Sequence, residues 1–201
     1  MISLCCLAWA GLMALAYRHK VLRIGLIAAT AATGLLLVIN NSRIPDSDGL
    51  RRTFVERLED YDGVRYVYGG ENHRGVDCSG LVRAAMVRTL VEHGVTSLDS
   101  EMLRSAFTLW WHDTNAIQLG KGANGLTLPI GDGSPMPMRA AQNVRPGDLA
   151  VTTSGSHVLA YLGNQRWIEA DPDVAHVQIV DLNTSPIAGQ EVLLVAWRWL
   201  R

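Results

Sequence analysis

Polarity divides the chain in two. Residues 1–40 contain no Asp or Glu and read as two apolar stretches, Met1 to Tyr17 and an uncharged run from Ile24 to Ile39 that reaches about 20 residues when Val21 to Asn40 are counted. Arg18, His19, Lys20 and Arg23 lie between them. A helix of about 20 apolar residues spans the hydrocarbon layer, so the pattern predicts a transmembrane helical hairpin, with Arg23 able to snorkel. Basic residues stay on the cytoplasmic side, which puts both ends of the hairpin, and everything after Ser42, on the opposite side. A cleaved signal peptide carries positive charge before its apolar core, whereas Met1-Ile2-Ser3-Leu4 has none. With 18–23 as a late basic region, 24–39 alone would be a signal anchor of the same final orientation. No apolar segment precedes Cys5 and Cys6, which argues against a lipoprotein and for small membrane-embedded side chains.

Beyond a polar linker at residues 41–49 the periodicity becomes that of a folded domain. Apolar residues at 50, 54, 55 and 58 form a helical stripe over Leu50 to Tyr61, with Asp48 as its cap. Leu81, Val82, Ala85, Met86 and Leu90 form the buried face of a helix from Cys78 to about Glu92, with Asp77 as N-cap and Gly94 as stop signal. A short helix is predicted around Ser100–Trp110. The Gly/Pro-rich tract 120–137 reads as loop, and long loops in compact domains are often functional lids. From Val144 onward the pattern changes to short strands at Leu149–Val151, His157–Leu162, Arg166–Glu169, Val177–Val180 and Val192–Trp199. Gly163-Asn164-Gln165 is a hairpin turn. Helices followed by hairpin-linked strands indicate an α+β domain with an antiparallel sheet. The expected organisation is a membrane anchor over 1–43 and a domain over 44–201 carrying an irregular insert at about 95–143.

Charge narrows the possible partners. Residues 44–201 hold 14 Lys/Arg against 19 Asp/Glu and no basic block, which speaks against nucleic-acid binding. Cys78 is the only cysteine of that part, so no internal disulfide forms and the thiol has no intrachain partner in an oxidising compartment. A lone cysteine is more often a small buried hydrophobe than a nucleophile. Here it opens a predicted helix, where free N–H groups and the helix dipole favour an anion, and such a position makes a reactive thiolate. His157 is a candidate base further along the chain.

Together, Tyr66-Val67-Tyr68-Gly69-Gly70, Asp77-Cys78-Ser79-Gly80-Leu81-Val82, Arg145-Pro146-Gly147-Asp148-Leu149, the run Ser156 to Gly163 and Trp167-Ile168-Glu169-Ala170 closely resemble the NlpC/P60 family of cell-wall cysteine peptidases. The resemblance runs from about Leu50 to the C-terminus and is weakest over 95–143. It implies a papain-like core with N-terminal helices packed on a small antiparallel sheet. It makes Cys78 the nucleophile, His157 the general base and Glu169 the residue that orients the histidine, a Cys-His-Glu triad. Tyr66 matches the family's active-site tyrosine, the alternative being a buried core tyrosine. Asp77 and Ser79 either cap the helix or line the cleft, and capping is favoured for Asp77.

The strand pattern bears on the third position independently. With the turn centred near Asn164, His157 falls opposite roughly 171 and Glu169 opposite roughly 159, so Glu169 is a diagonal neighbour of the histidine, and Asp171 is its rival through register uncertainty. In that reading a carboxylate accepts the Nδ1–H of His157. His73, His93, His112 and His176 have no metal-ligand spacing, and neither a metal nor a cofactor is expected. Trp110-Trp111 is either a lid or core.

The resemblance implies a membrane-anchored hydrolase of peptidoglycan stem peptides, typically cutting between D-glutamate and a diamino acid, held at the inner membrane with its domain on the periplasmic or extracellular side. The alternatives are a papain-like amidase or acyltransferase on another amide, including a toxin-like effector, or a non-catalytic membrane-tethered binding module.

Overall fold

The computed structural model describes residue 11 and residues 19–38, 46–141, 143–182 and 186–201. The first apolar stretch lies outside the described residues except for Gly11. The second forms α1, Lys20–Val38. Among the described residues no helix is long and apolar enough to cross a membrane.

The domain begins with α2, Ser47–Glu59, capped by Asp46 rather than Asp48: Asp46 Oδ1 accepts the Gly49 N–H at 3.0 Å. The cap must lie just outside the first helical residue, and Asp48 already sits in the first turn. Leu50, Phe54 and Leu58 are buried. A small hairpin follows, β1 (Glu71–Asn72) and β2 (Gly75–Val76), and leads into α3, Cys78–Ser97.

Gly94 does not stop α3. The helix continues to Ser97 and closes on Leu98, whose φ is 54°. Gly94 serves a close approach instead: a Cβ there would meet Leu103 at 2.9 Å and Met102 at 3.2 Å. Both belong to α4, Ser100–Trp111, so the missing side chain lets α4 pack against α3. Asp99 caps α4 by accepting from the N–H groups of Glu101 and Met102.

The tract 120–137 is only partly loop. After α5 (Ala116–Gly120) it supplies β3, Thr127–Pro129, and β4, Met136–Pro137. Both pair antiparallel with the last strand, so backbone groups expected to face solvent extend the sheet. Trp110 and Trp111 are 44% and 46% exposed and cluster with Phe107, a surface group on α4 rather than core.

The other strands are β5 (Leu149–Thr152), β6 (Val158–Gly163), β7 (Arg166–Asp171), β8 (His176–Asp181) and β9 (Glu191–Trp197). Spatial order is β3-β9-β5-β6-β7-β8, with β4 also on β9, and every pairing is antiparallel. Alternation along the strands divides the apolar residues. Leu149, Val151, Val158, Ala160, Ile168 and Ala170 join the helices in the main core. Ala150, Leu159, Trp167, Val192 and Leu194 form a second cluster. The mixed α+β architecture read from the sequence is the one observed.

Two features hold the helices against the rest of the domain. Asp148, in the Pro-Gly-Asp turn, is fully buried and accepts from Arg145 N–H at 2.7 Å and Arg201 at 2.9 Å, with Arg51 at 3.4 Å. This ties α2, the entry to β5 and the C-terminus together. Burial pushes the Asp148 carboxyl up, against the pull of these donors. At the other end, the glycine turn 67–70 lies directly on the first turn of α3: a Cβ on Gly80 would stand 2.1 Å from the Gly70 carbonyl oxygen. Gly80→Ala is therefore expected to push the two segments apart and destabilise the fold by about 1–3 kcal/mol, the usual range for overpacking. Chemical denaturation checks this, and a change under 0.5 kcal/mol would refute the close contact.

Candidate active site

Cys78 is the first residue of α3 and is buried. Asp77 sets its position. Asp77 Oδ1 accepts the Gly80 N–H at 2.7 Å and the Ser79 hydroxyl at 3.0 Å, and Oδ2 accepts the Gly69 N–H at 2.7 Å. One carboxylate thus caps the helix and clamps the glycine turn beside it. Asp77 is the cap, Ser79 supports it by donating to its carboxylate, and both also line the cleft. Tyr66 lines the same pocket as Cys78. Burial pushes the Tyr66 hydroxyl up, and Cys78 and Asp77 add to the rise.

His157 lies in the tight connection between β5 and β6. Thr152 holds it: the Thr152 N–H donates to the His157 carbonyl at 3.1 Å, and Thr152 Oγ1 accepts the His157 N–H at 3.1 Å. Register brings Glu169 to the ring. Ala160 pairs with Ile168, and one step further along both strands sets residue 159 opposite 169, so Glu169 is the diagonal neighbour of His157. Their side chains meet at 2.7 Å, Nε2 to Oε2. The nitrogen differs from the one expected: Glu169 engages Nε2, which leaves Nδ1 for the cysteine. Cys78 Sγ stands 3.9 Å from the Ser156 carbonyl oxygen, next in sequence to the histidine.

Glu169 is 4% exposed. A carboxylate so buried must be paired, and its second oxygen, Oε1, accepts from Gln178 Nε2 at 3.1 Å. Asp171, the rival for the third position, goes elsewhere: it accepts from the Asp173 N–H at 2.7 Å and from Gln178 at 3.3 Å. Burial alone would lower the pKa of His157. Hydrogen bonds to Cys78 and Glu169, and their charges, outweigh it and raise the value from 6.5 to about 9. The imidazole thus holds its proton at neutral pH beside a thiol, the arrangement an ion-pair nucleophile requires.

The cleft opens on both sides of this group. The cysteine side is a pocket of about 390 Å³ lined by Tyr66, Tyr68, Glu71, Arg83, Asp113 and Asn115. The histidine side holds about 620 Å³, with Glu169, Asp171, Gln178, Asp181 and Gln190 in its wall. Ser156 lines both. Arg83 is buried, pairs with Glu71, and donates to Asp113 at 2.8 Å and the His112 carbonyl at 2.9 Å. Sequence reasoning passed over Arg83, Thr152 and Gln178. A cation between Val82 and Ala84 on an apolar helix face was the available signal for Arg83; nothing local distinguished the other two.

His73, His93, His112 and His176 have structural partners. His73 stacks on Tyr61 at 4.1 Å, and His93, inside α3 rather than at its end, meets Thr53 at 2.9 Å. His112 and His176 bond nearby carbonyls. Among the described residues no group of three His, Cys, Asp or Glu side chains could hold a metal ion.

Residues 63–196 match the model of the NlpC/P60 family. Murein DD-endopeptidase MepS/Murein LD-carboxypeptidase of Escherichia coli (strain K12) is 27% identical over 124 residues, which is 60% of this chain and 50% of that protein. The chain spans about half the length of the curated relatives it matches. Among solved structures, the peptidoglycan hydrolase RipB from Mycobacterium tuberculosis is 21% identical, covers 78% of this chain and 67% of its own, and has a TM-score of 0.47. RipD from the same organism, described as a non-catalytic NlpC/p60 domain protein, is 19% identical over 73% of this chain and 95% of its own, at a TM-score of 0.44.

The raised pKa of His157 has a definite sign. Its contribution to folding stability is fully present below 6.5, the unfolded value, and is lost as pH rises through about 9. Replacing Glu169 by Gln removes one of the raising interactions, so His157 in Glu169→Gln should lose its proton at lower pH than in the parent. Nitrogen-detected NMR titration of His157 checks this; a midpoint unchanged from the parent would detach the ring from Glu169.

Proposed function

The chain belongs to the NlpC/P60 family, and on that premise we propose that it is a cysteine hydrolase of peptidoglycan stem peptides working through Cys78, His157 and Glu169. The observation that carries the proposal is the 2.7 Å bond from a buried glutamate to His157, on a histidine whose pKa is raised by Cys78 as well as by that glutamate. A relative, the Escherichia coli murein endopeptidase, supports the substrate class.

The chemistry follows from the placement. The Cys78 thiolate attacks the carbonyl carbon of an amide held across the cleft, and the C=O pair moves onto oxygen. The backbone N–H of Cys78, at the start of α3, faces the developing oxyanion. His157 then gives its Nδ1 proton to the leaving nitrogen as the C–N bond breaks, which leaves a thioester on Cys78. Water attacks the thioester, His157 takes the water's proton, and the acid departs as the thiolate is restored. Throughout, Glu169 holds the ring by Nε2 and stabilises its charged form. Tyr66 lies on the cysteine side of the cleft, where its hydroxyl contacts bound peptide.

We further propose that the N-terminal region fixes the enzyme at the inner membrane with the domain on the periplasmic or extracellular side. The support is in the sequence: an uncharged run over 24–39 behind the basic cluster Arg18, Lys20 and Arg23, and exposed Val21, Leu22, Ile24 and Ile27 on α1.

Two experiments test these proposals. Isolated sacculi incubated with the full chain should release fragments cut within the stem peptide, read by mass spectrometry, and the Cys78→Ala variant should release none above background. No release from several wall chemistries by the folded parent would move the site to another amide substrate or to a non-catalytic role. For the anchor, the expressed full chain should remain in the membrane fraction after washing with carbonate, and an engineered tag after Arg201 should be accessible to protease in spheroplasts. Release into the soluble fraction would sink the anchor.

A further inference from the structure

The Glu169–His157 bond rests on a third side chain. Gln178 lies on β8 directly opposite Glu169 on β7. Its Nε2 donates to Glu169 Oε1 at 3.1 Å and to Asp171 Oδ2 at 3.3 Å. Glu169 and Asp171 are two residues apart on one strand and so share a face of the sheet. Two carboxylates side by side repel, and each, left alone, would turn toward the nearest donor. The primary amide carries two N–H donors and no charge, and here one goes to each carboxylate.

We propose that Gln178 is a positioning residue: by engaging Glu169 Oε1 it aims Oε2 at His157 and keeps Asp171 from competing for the ring. This rests on the catalytic reading of Cys78 and His157. The neutrality of the donor matters. A lysine or arginine at 178 would also bind Glu169, but would cancel the negative charge that favours the imidazolium. An amide orients the carboxylate and leaves its charge for His157. The bond also closes the account of a buried group: with Oε2 on His157 and Oε1 on Gln178, both oxygens of the 4%-exposed Glu169 are satisfied. Remove Gln178 and Oε1 lies buried without that donor, so the carboxylate rotates toward the cleft or toward other donors, and its bond to His157 lengthens.

The titratable and charged groups around this arrangement come from every element packed on it. His157 comes from the β5–β6 connection, Asp171 from β7 itself, Asp173 from the following turn, Asp181 from the far end of β8, and Cys78 and Tyr66 from the helix side. His176, on β8 opposite Asp171, is the other imidazole nearby; its Nδ1 lies 2.7 Å from the Val174 carbonyl oxygen, so it is engaged away from Glu169, and apart from these two histidines the named groups carry negative charge or none.

The test needs no knowledge of the scissile bond. Full-length protein is treated with iodoacetate across pH 5–11, and carboxymethylation is read by mass spectrometry on the peptide containing Cys78, which separates it from Cys5 and Cys6. An anionic alkylating agent reacts faster while His157 is charged, so the rate falls along an alkaline limb as the imidazolium loses its proton, near pH 9 in the parent. Gln178→Leu and Gln178→Met both fill the space and remove the donors, and both should shift that limb to lower pH by at least half a unit and slow the reaction at pH 7 about tenfold, the scale of a lost hydrogen bond to a charged group. Thermal midpoints within a few degrees of the parent would show that folding is preserved. A folded variant with the parental limb and rate would overturn the positioning role. A parent that reacts like a free thiol with no alkaline limb would overturn the catalytic reading and this inference together, and is told apart by the parent arm alone.

Discussion

The site depends on where one helix starts, and a single carboxylate decides that. Asp77 spends both oxygens on backbone and side-chain donors of its immediate surroundings: Gly80 N–H and the Ser79 hydroxyl on one, Gly69 N–H on the other. An N-cap alone would satisfy orphan donors of the helix. Here it also binds the preceding glycine turn, so the turn, the cap and the first helical residue move as one body. Cys78 is that first residue, and its placement is inherited from the clamp. Gly80 completes the constraint, because the Gly70 carbonyl occupies the space where any other side chain would begin.

The second half of the site comes from the sheet and reaches the first only through tertiary packing. Thr152 pins the backbone of His157 on both sides, and antiparallel register then places Glu169 diagonally across. A one-residue slip would move Glu169 to the other face. The slip is resisted by Trp167 and Ile168, which are buried in different clusters on opposite faces of β7. The Arg51–Asp148–Arg201 group holds β5 to α2 and the C-terminus. The distance between thiol and imidazole is therefore set by how the helical layer sits on the sheet.

What was legible in the sequence follows this division. Asp77 as a cap, Cys78 at the helix start, the hairpin at 163–165 and the diagonal relation of His157 to Glu169 are local or period-2 features, and the structure has each of them. Errors occurred where a residue's use is tertiary. Gly94 carries a stop signal by type, yet its lack of a side chain serves the contact with Leu103. The tract 120–137 has loop composition, but two short segments of it find an open edge on β9, which no local pattern announces. Asp46 and Asp48 are equivalent as caps until the first turn is counted. The nitrogen of His157 that meets the carboxylate was also misassigned, because side-chain torsions are invisible to strand periodicity. Gln178 escaped notice because an amide on a half-buried strand is ordinary until its opposite number is known to be a buried glutamate.

That buried glutamate also bears on why the arrangement exists. Desolvating an ion pair is expensive, and apolar residues of similar size are often as stable or more so. Position 169 is itself buried and shares a face of β7 with Trp167, a place where an apolar residue is the ordinary choice. Instead the chain holds a carboxylate with both oxygens engaged, an amide from the adjacent strand to occupy one of them, and an imidazole to occupy the other. Stability does not call for this set. On the proposed mechanism the set has a reason: it keeps His157 protonated and fixed beside Cys78, and removing any one member leaves the others misdirected or short of a partner.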